Sequence, residues 1–260
     1  MTYALRDSTI MLRRNLKHML RYPSMTLLLV AIPMIFLLLF VFVFGGTLGA
    51  GLGGASGGRD AYVNYVTPGI LLMAISGAVQ GTAVAVAMDM TQGIIARFRT
   101  MAISRGSVLT GHVVGSVIQA MLCVAATLGL ALLIGFRSSA NPLQWLGAVG
   151  MLVLLSFALT WLTVALGMVT KTVEGASNLP MPLILLPFLG SGFVPTDSMP
   201  AGLRWFADYQ PFTPVMETIR GLLHGTPVGS NLVLGLGWCV VLSLGGYLWA
   251  RRLFNRNVVR

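Results

Sequence analysis

RRNLKHMLRYPSMTLLLVAIPMIFLLLFVFVF, residues 13–44, begins with four basic side chains (Arg13, Arg14, Lys17, Arg21) and ends in a run, 25–44, that carries no charge. About 20 apolar residues of helix, at about 1.5 Å each, cross the roughly 30 Å hydrocarbon core of a bilayer. Five more stretches read in the same way: 63–88, 108–134, 145–169, 179–194 and 231–250. The stretch 179–194 is the shortest and contains Pro180, Pro182 and Pro187, so it is expected to be broken. Arg6, Arg13, Arg14, Lys17 and Arg21 precede the first stretch. Arg97, Arg99 and Arg105 lie between the second and third, Lys171 between the fourth and fifth, and Arg251, Arg252, Arg256 and Arg260 in the tail. The opposite side holds only Arg59, Arg137, Arg204 and Arg220. The positive-inside rule therefore places both termini in the cytoplasm. The expected fold is an all-α integral membrane protein, one domain over residues 1–260, with six transmembrane helices.

Composition agrees with lipid as the solvent. Hydrophobic residues make up 56% of the 260 and charged residues only 9%. A net charge of +10 could point to nucleic acid, but the excess lies where a membrane surface would meet it, so no nucleic acid partner is expected. Lys occurs only at 17 and 171 while Arg is frequent, which suggests a GC-rich bacterial genome; the expected location is a bacterial cytoplasmic (inner) membrane. The first apolar run is too long for a signal-peptide core, so no cleaved leader is expected. Cys123 and Cys239 both fall within spans, which argues against a structural disulfide.

Residues 3–21 read as an interfacial amphipathic helix. Leu5, Leu12, Leu16, Met19 and Leu20 share one face, and Arg13, Arg14 and Lys17 belong to the adjoining basic stripe. Tyr22-Pro23 is expected to break it before the first span. Gly45–Gly58, glycine-rich and uncharged, is expected to be a flexible outer loop. On the cytoplasmic side, a helix starting at Gly93 would group Ile94, Ile95, Phe98, Met101 and Ala102 in one apolar sector flanked by Arg97 and Arg99. Such a helix either lies on the membrane or docks in a groove of a soluble partner. The outer stretch 195–230 reads as a helical hairpin, with helices opening at Met199-Pro200 and near Pro211 and Pro214. Glu217 and Arg220 are spaced there to pair. These are re-entrant or interfacial helices, tolerated only if packed on protein.

The chemistry that is missing narrows the function. No Walker-type phosphate loop, metal-ligand spacing or nucleophile–base set occurs, so no catalytic or metal-binding residue is expected. His112, opening the third span, reads as an interface residue. The span interiors contain no ionisable group, and Asp89 lies at a boundary, which disfavours ion-coupled transport. The polar residues inside, among them Gln80, Thr82, Gln119 and Thr160, either line a pathway or bond one helix to another.

Two stretches carry a family resemblance. One is Pro68-Gly69-Ile70-Leu71 through Asp89, Gly93-Ile94-Ile95, Arg97-Phe98-Arg99, Met101, Ser104-Arg105 and Leu109. The other is Phe193-Val194-Pro195, Met199-Pro200, Pro211, Thr213-Pro214, Glu217 and Arg220-Gly221-Leu222-Leu223. With them the chain resembles the permease subunit of second-class (type 2) bacterial ABC exporters, in the daunorubicin/doxorubicin-resistance branch. The family often has Pro after the Arg-x-Arg, where this chain has Ala102, so the helix is expected to run further here.

The resemblance implies a non-catalytic permease, with ATP and Mg bound by a separate ATP-binding cassette subunit and no cofactor in this chain. It implies a second permease, either a homodimer copy or a paralogue. Residues 93–104 would be the coupling helix, with Gly93, Ile94, Arg97, Phe98, Arg99 and Met101 at the motor contact. The helices bearing Pro211, Pro214, Glu217 and Arg220 would form an outer gate. The cargo implied is a hydrophobic or amphiphilic compound, a drug or an envelope lipid. Polysaccharide or other polymer export, a motor-independent facilitator and an intramembrane enzyme are the alternatives. A facilitator has no use for the 89–105 amphipathic segment, and an enzyme lacks its residues here.

Overall fold

A computed structural model describes residues 23–53, 58–91, 105–170 and 172–256. The interfacial segment 3–21 and the segment 93–104, with Arg13, Arg14, Lys17, Gly93, Ile94, Arg97, Phe98, Arg99 and Met101, lie outside the described residues. The described residues contain helices and turns and no strand. The helices are α1 (Pro23–Leu39), α2 (Gly45–Gly53), α3 (Arg59–Thr91), α4 (Arg105–Leu133) and α5 (Pro142–Val169). They continue with α6 (Val173–Asn178), α7 (Met181–Leu185), α8 (Ala201–Tyr209), α9 (Phe212–His224) and α10 (Asn231–Arg256). A π-helical turn, Phe40–Phe44, joins α1 to α2, and a 3-10 turn, Leu186–Leu189, follows α7. Five helical runs are long and apolar enough to cross a membrane: Leu27–Gly51, Arg59–Thr91, Thr110–Leu133, Pro142–Val169 and Asn231–Phe254. The sixth stretch expected from the sequence, 179–194, is not among these five; the shorter apolar run Val173–Leu189 overlaps it.

Gly45–Gly53 is helix rather than the flexible loop its glycines suggest. A glycine run is soft in water, where peptide groups find solvent. At the edge of a bilayer the helical bonds are the only ones offered. The missing side chains also let α2 lie directly on the start of α3. A Cβ at Gly45 would stand 3.2 Å from Cγ of Arg59. The chain turns back at Gly58, whose φ of 149° favours glycine.

α3 is the axis of the bundle. It spans 33 residues and is buried on nearly every side from Tyr62 to Ala87, as an all-round apolar sequence requires. It packs on α5, α4, α2 and α1, while α5 also packs extensively on α10. Asn141 starts α5 with a capping box, its side chain accepting from the Gln144 amide while Gln144 bonds back to the Asn141 amide. Two apolar cores result. The large one runs from Leu37 and Tyr62 through Leu72, Leu155 and Ile219. A smaller one gathers Val86, Val113, Trp161, Val164, Met168, Ala250 and Phe254 at the far ends of α3, α5 and α10 and the near end of α4. Cys123 and Cys239 are free and buried.

The α5–α10 contact depends on Gly246, where an added Cβ would stand 2.7 Å from the Leu162 amide nitrogen. Gly237, on the same helix, has nothing within 4 Å. Gly246→Val is expected to destabilise the chain by about 1–3 kcal/mol through overpacking. Gly237→Val is expected to leave it unchanged. Unfolding midpoints of the purified protein in detergent check the difference.

Candidate functional site

Three prolines decide the local structure of 179–194. Pro180, Pro182 and Pro187 each lack an amide hydrogen, so the helix is cut into α6, α7 and a 3-10 turn before the chain loosens at Gly190–Phe193. At the breaks and in the turn beyond them carbonyls have no helical partner, and side chains of neighbouring elements bond four of them. Gln80 Nε2 donates to the Ser177 carbonyl at 2.6 Å. Gln210 Nε2 donates to Leu186 at 3.0 Å. Ser191 O accepts from Tyr65 Oη and from Arg220 Nη2, both at 2.8 Å, and Tyr62 Oη donates to Phe193 O at 3.2 Å. An unmatched amide carbonyl in an apolar medium costs several kcal/mol, so these bonds offset the breaks wherever the segment is out of water. Gly69 permits the approach, since a Cβ there would lie 2.6 Å from Gly192 O. Phe188 and Phe193 stack at 4.3 Å, and Phe40 closes on Phe193 at 4.5 Å, fixing the segment to the end of α1.

Arg220 joins three elements at this end of the bundle. From α9 its Nη1 pairs with Glu217 one turn earlier. Its Nη2 reaches Ser191 O and also Tyr65 O at 3.1 Å. The guanidinium lies 4.0 Å from the centroid of the Tyr65 ring, a cation–π geometry strengthened by partial desolvation. One side chain thus joins α9, α3 and the broken segment. The outer end of α9 is tied as well. His224 Nε2 donates to Asn64 O at 3.2 Å, Ser138 Oγ to Leu223 O at 2.6 Å and Ser139 Oγ to His224 O at 2.8 Å. Pro211 caps the start of α9, Pro214 is buried in its first turn and Gly225 ends it in the left-handed region. On α8, Arg204 pairs with Asp197 and, at 3.7 Å, with Asp208. These groups are partly exposed, and their pairing stabilises little in water.

The predicted pathway residues divide between two levels. Gln80 serves the broken segment. Thr82 Oγ1 donates to Ser116 Oγ at 2.6 Å, and Thr160 Oγ1 approaches the same oxygen at 3.3 Å while donating to Ser156 O at 2.7 Å. Thr82 and Thr160 thus meet at Ser116, a hydroxyl layer joining α3, α4 and α5. Gln119 stands half-buried one turn along α4. Glu217 and Arg220 meet each other near the outer end, away from that layer. Among the described residues no group of His, Cys, Asp and Glu is placed to hold a metal. Sequence reading missed Tyr62 and Tyr65, whose spacing on one helical face in an apolar run was the available signal. It also missed a contact between Asp89 Oδ2 and His112 Nε2 at 3.0 Å.

Residues 7–224 match the family described as ABC-2 type transporter. The chain is 29% identical over 228 residues to the daunorubicin resistance ABC transporter permease protein DrrB1 of Streptomyces coeruleorubidus, over 85% of this chain and 78% of that protein. It is 24% identical over 194 residues to the probable doxorubicin resistance ABC transporter permease protein DrrC of Mycobacterium tuberculosis, over 72% of this chain and 69% of that one.

Arg220→Ala removes both carbonyl bonds and strands Glu217, a loss of about 1–3 kcal/mol for the outer assembly. Amide hydrogen exchange in 186–194 and in α9 is expected to quicken while α5 and α10 keep their protection. Tyr65→Phe, which spares the guanidinium, is expected to quicken the same segment by less.

Proposed function

The chain belongs to the ABC-2 type transporter family, and on that premise we propose that it is the membrane-spanning permease subunit of an ATP-driven exporter of hydrophobic or amphiphilic compounds. A separate ATP-binding cassette subunit supplies the energy, binding ATP and Mg, and a second permease, a copy of this chain or a paralogue, completes the path. Both termini and the segment 93–104 face the cytoplasm, a reading supported by the one-sided Lys and Arg. The observation that carries the proposal is the family match over 7–224. A groove of about 210 Å³ between α3, α4 and α5, lined by Leu71, Met121, Leu128, Trp145 and Leu152 among others, is almost wholly hydrocarbon. The drug-resistance names of the relatives favour a small amphiphile over a polymer as cargo.

In this mechanism the motor seats the 93–104 helix through Phe98 and Met101 as buried anchors, with Arg97 and Arg99 as rim charges. The basic helix bearing Arg13, Arg14 and Lys17 lies beside it in the headgroup plane. Closure of the motor on ATP tilts the bundle. At the outer end, α9 releases when Arg220 gives up the Ser191 carbonyl and Tyr65, and cargo leaves there.

Co-purification with the ATP-binding subunit tests the assignment. The wild-type chain is expected to hold the subunit. Phe98→Asp and the Arg97→Glu/Arg99→Glu double variant are expected to lose it by about tenfold or more while inserting normally. Equal capture by wild type and variants would refute the coupling assignment, and no capture by the wild type would favour a motor-independent facilitator.

A further inference from the structure

The buried polar side chains among the described residues are hydroxyls and amides, with two exceptions, Asp89 and His112. Each is 7% exposed, and His112 Nε2 lies 3.0 Å from Asp89 Oδ2. Asp89 stands in the last turn of α3, and His112 is within two turns of the start of α4. The two helices are joined in sequence by residues 92–104, so the pair bridges the two points at which that segment enters the bundle. Around it lies the smaller core, with Val86 and Met90 from α3, Val113 from α4, Trp161, Val164 and Met168 from α5, and Ala250 and Phe254 from α10. Four helices thus converge at one level.

A buried acid–base pair is a poor way to gain stability, because desolvation offsets most of the attraction and an apolar pair of similar size would hold as well. What it supplies is one fixed geometry. A hydrocarbon contact can slide by an ångström at little cost, whereas a buried hydrogen bond at 3.0 Å cannot. At the neck of a segment that must pass on a push, slippage is the failure to be prevented.

We infer that Asp89 and His112 are positioning residues for energy coupling: they clamp α3 to α4 at the neck of segment 92–104, so that its movement enters the four-helix core as one rigid displacement. This rests on the proposed role of that segment as the motor contact. Thr82, Ser116 and Thr160, farther along the same helices, carry the displacement toward the outer half.

The test uses the whole permease–ATPase complex in lipid vesicles and compares its ATP hydrolysis with that of the isolated ATP-binding subunit. The variants are Asp89→Asn, His112→Ala and the exchange Asp89→His/His112→Asp. Each is first checked for co-purification with the ATP-binding subunit. The single variants are expected to assemble at wild-type yield. They are also expected to lose the permease-dependent change in hydrolysis, by about tenfold, and the exchange to restore a substantial part of it. Single variants that assemble and keep the wild-type rate would overturn the inference. So would loss of assembly in the single and exchanged variants alike, which would mark the pair as merely structural. A wild-type chain that captures no ATP-binding subunit would instead overturn the proposed function, and the clamp with it.

Discussion

A buried carbonyl oxygen without a helical partner needs another donor, and the broken segment 173–193 presents several. One half of the bundle is organised around meeting them. Tyr62 and Tyr65 stand one turn apart on α3 because the Phe193 and Ser191 carbonyls face that helix. Gln80 serves Ser177 deeper in the bundle, and Gln210, just before α9, serves Leu186. Arg220 adds the strongest donor, shared between Ser191 and the α3 backbone. α9 is accordingly a working part of the span beneath it, and moving it exposes carbonyls that must find new partners.

The remainder of the bundle follows from keeping charge out of lipid. α3 is buried all round, and α5 joins it to α10 through closely packed small residues. Between the large outer core and the smaller one lies the Thr82–Ser116–Thr160 layer. The hydroxyls of Thr82, Ser116 and Thr160 are inexpensive there, because they bond within a helix or to a neighbour, and bonds of this kind contribute about 0.6–2 kcal/mol apiece in membranes. An ionised group at the same depth would cost more than any of them returns. The buried acid–base pair accordingly sits at the end of the helices.

Much of this was legible in the sequence for physical reasons. Runs of about 20 apolar residues have one use in a bilayer, and five of the six stretches coincide with helices long and apolar enough to cross one. Pro180, Pro182 and Pro187 gave away the broken helix, and Pro200 and Pro211 stand at the starts of α8 and α9. The Glu217–Arg220 pair was visible from its spacing, but its further bonds to Ser191 and Tyr65 join residues 29 and 155 positions apart and needed the fold. Gly45–Gly53 was misleading because glycine's low helix propensity is measured in water. Asp89 was set at a boundary because hydropathy falls there, yet α3 continues to Thr91 and carries it against His112. The meeting of Thr82 and Thr160 at Ser116 depends on three helices in register, which periodicity within one helix does not encode.

Whether the segment from Glu174 to Asp197 truly crosses the membrane decides more than any other point, since the outer assembly exists to make that crossing possible. The direct measurement is thiol labelling in intact and inverted membrane vesicles, with a water-soluble, impermeant maleimide. Single cysteines would stand at Glu174, Met181, Leu185, Leu189 and Asp197, in a chain whose Cys123 and Cys239 are replaced by alanine. A crossing segment leaves Met181→Cys, Leu185→Cys and Leu189→Cys unlabelled from either face, with Glu174→Cys reacting only from the cytoplasmic side and Asp197→Cys only from the outside. Labelling of Glu174→Cys and Asp197→Cys from the same side, or ready labelling of the three positions between them, would show a surface loop and contradict the structure's organising constraint.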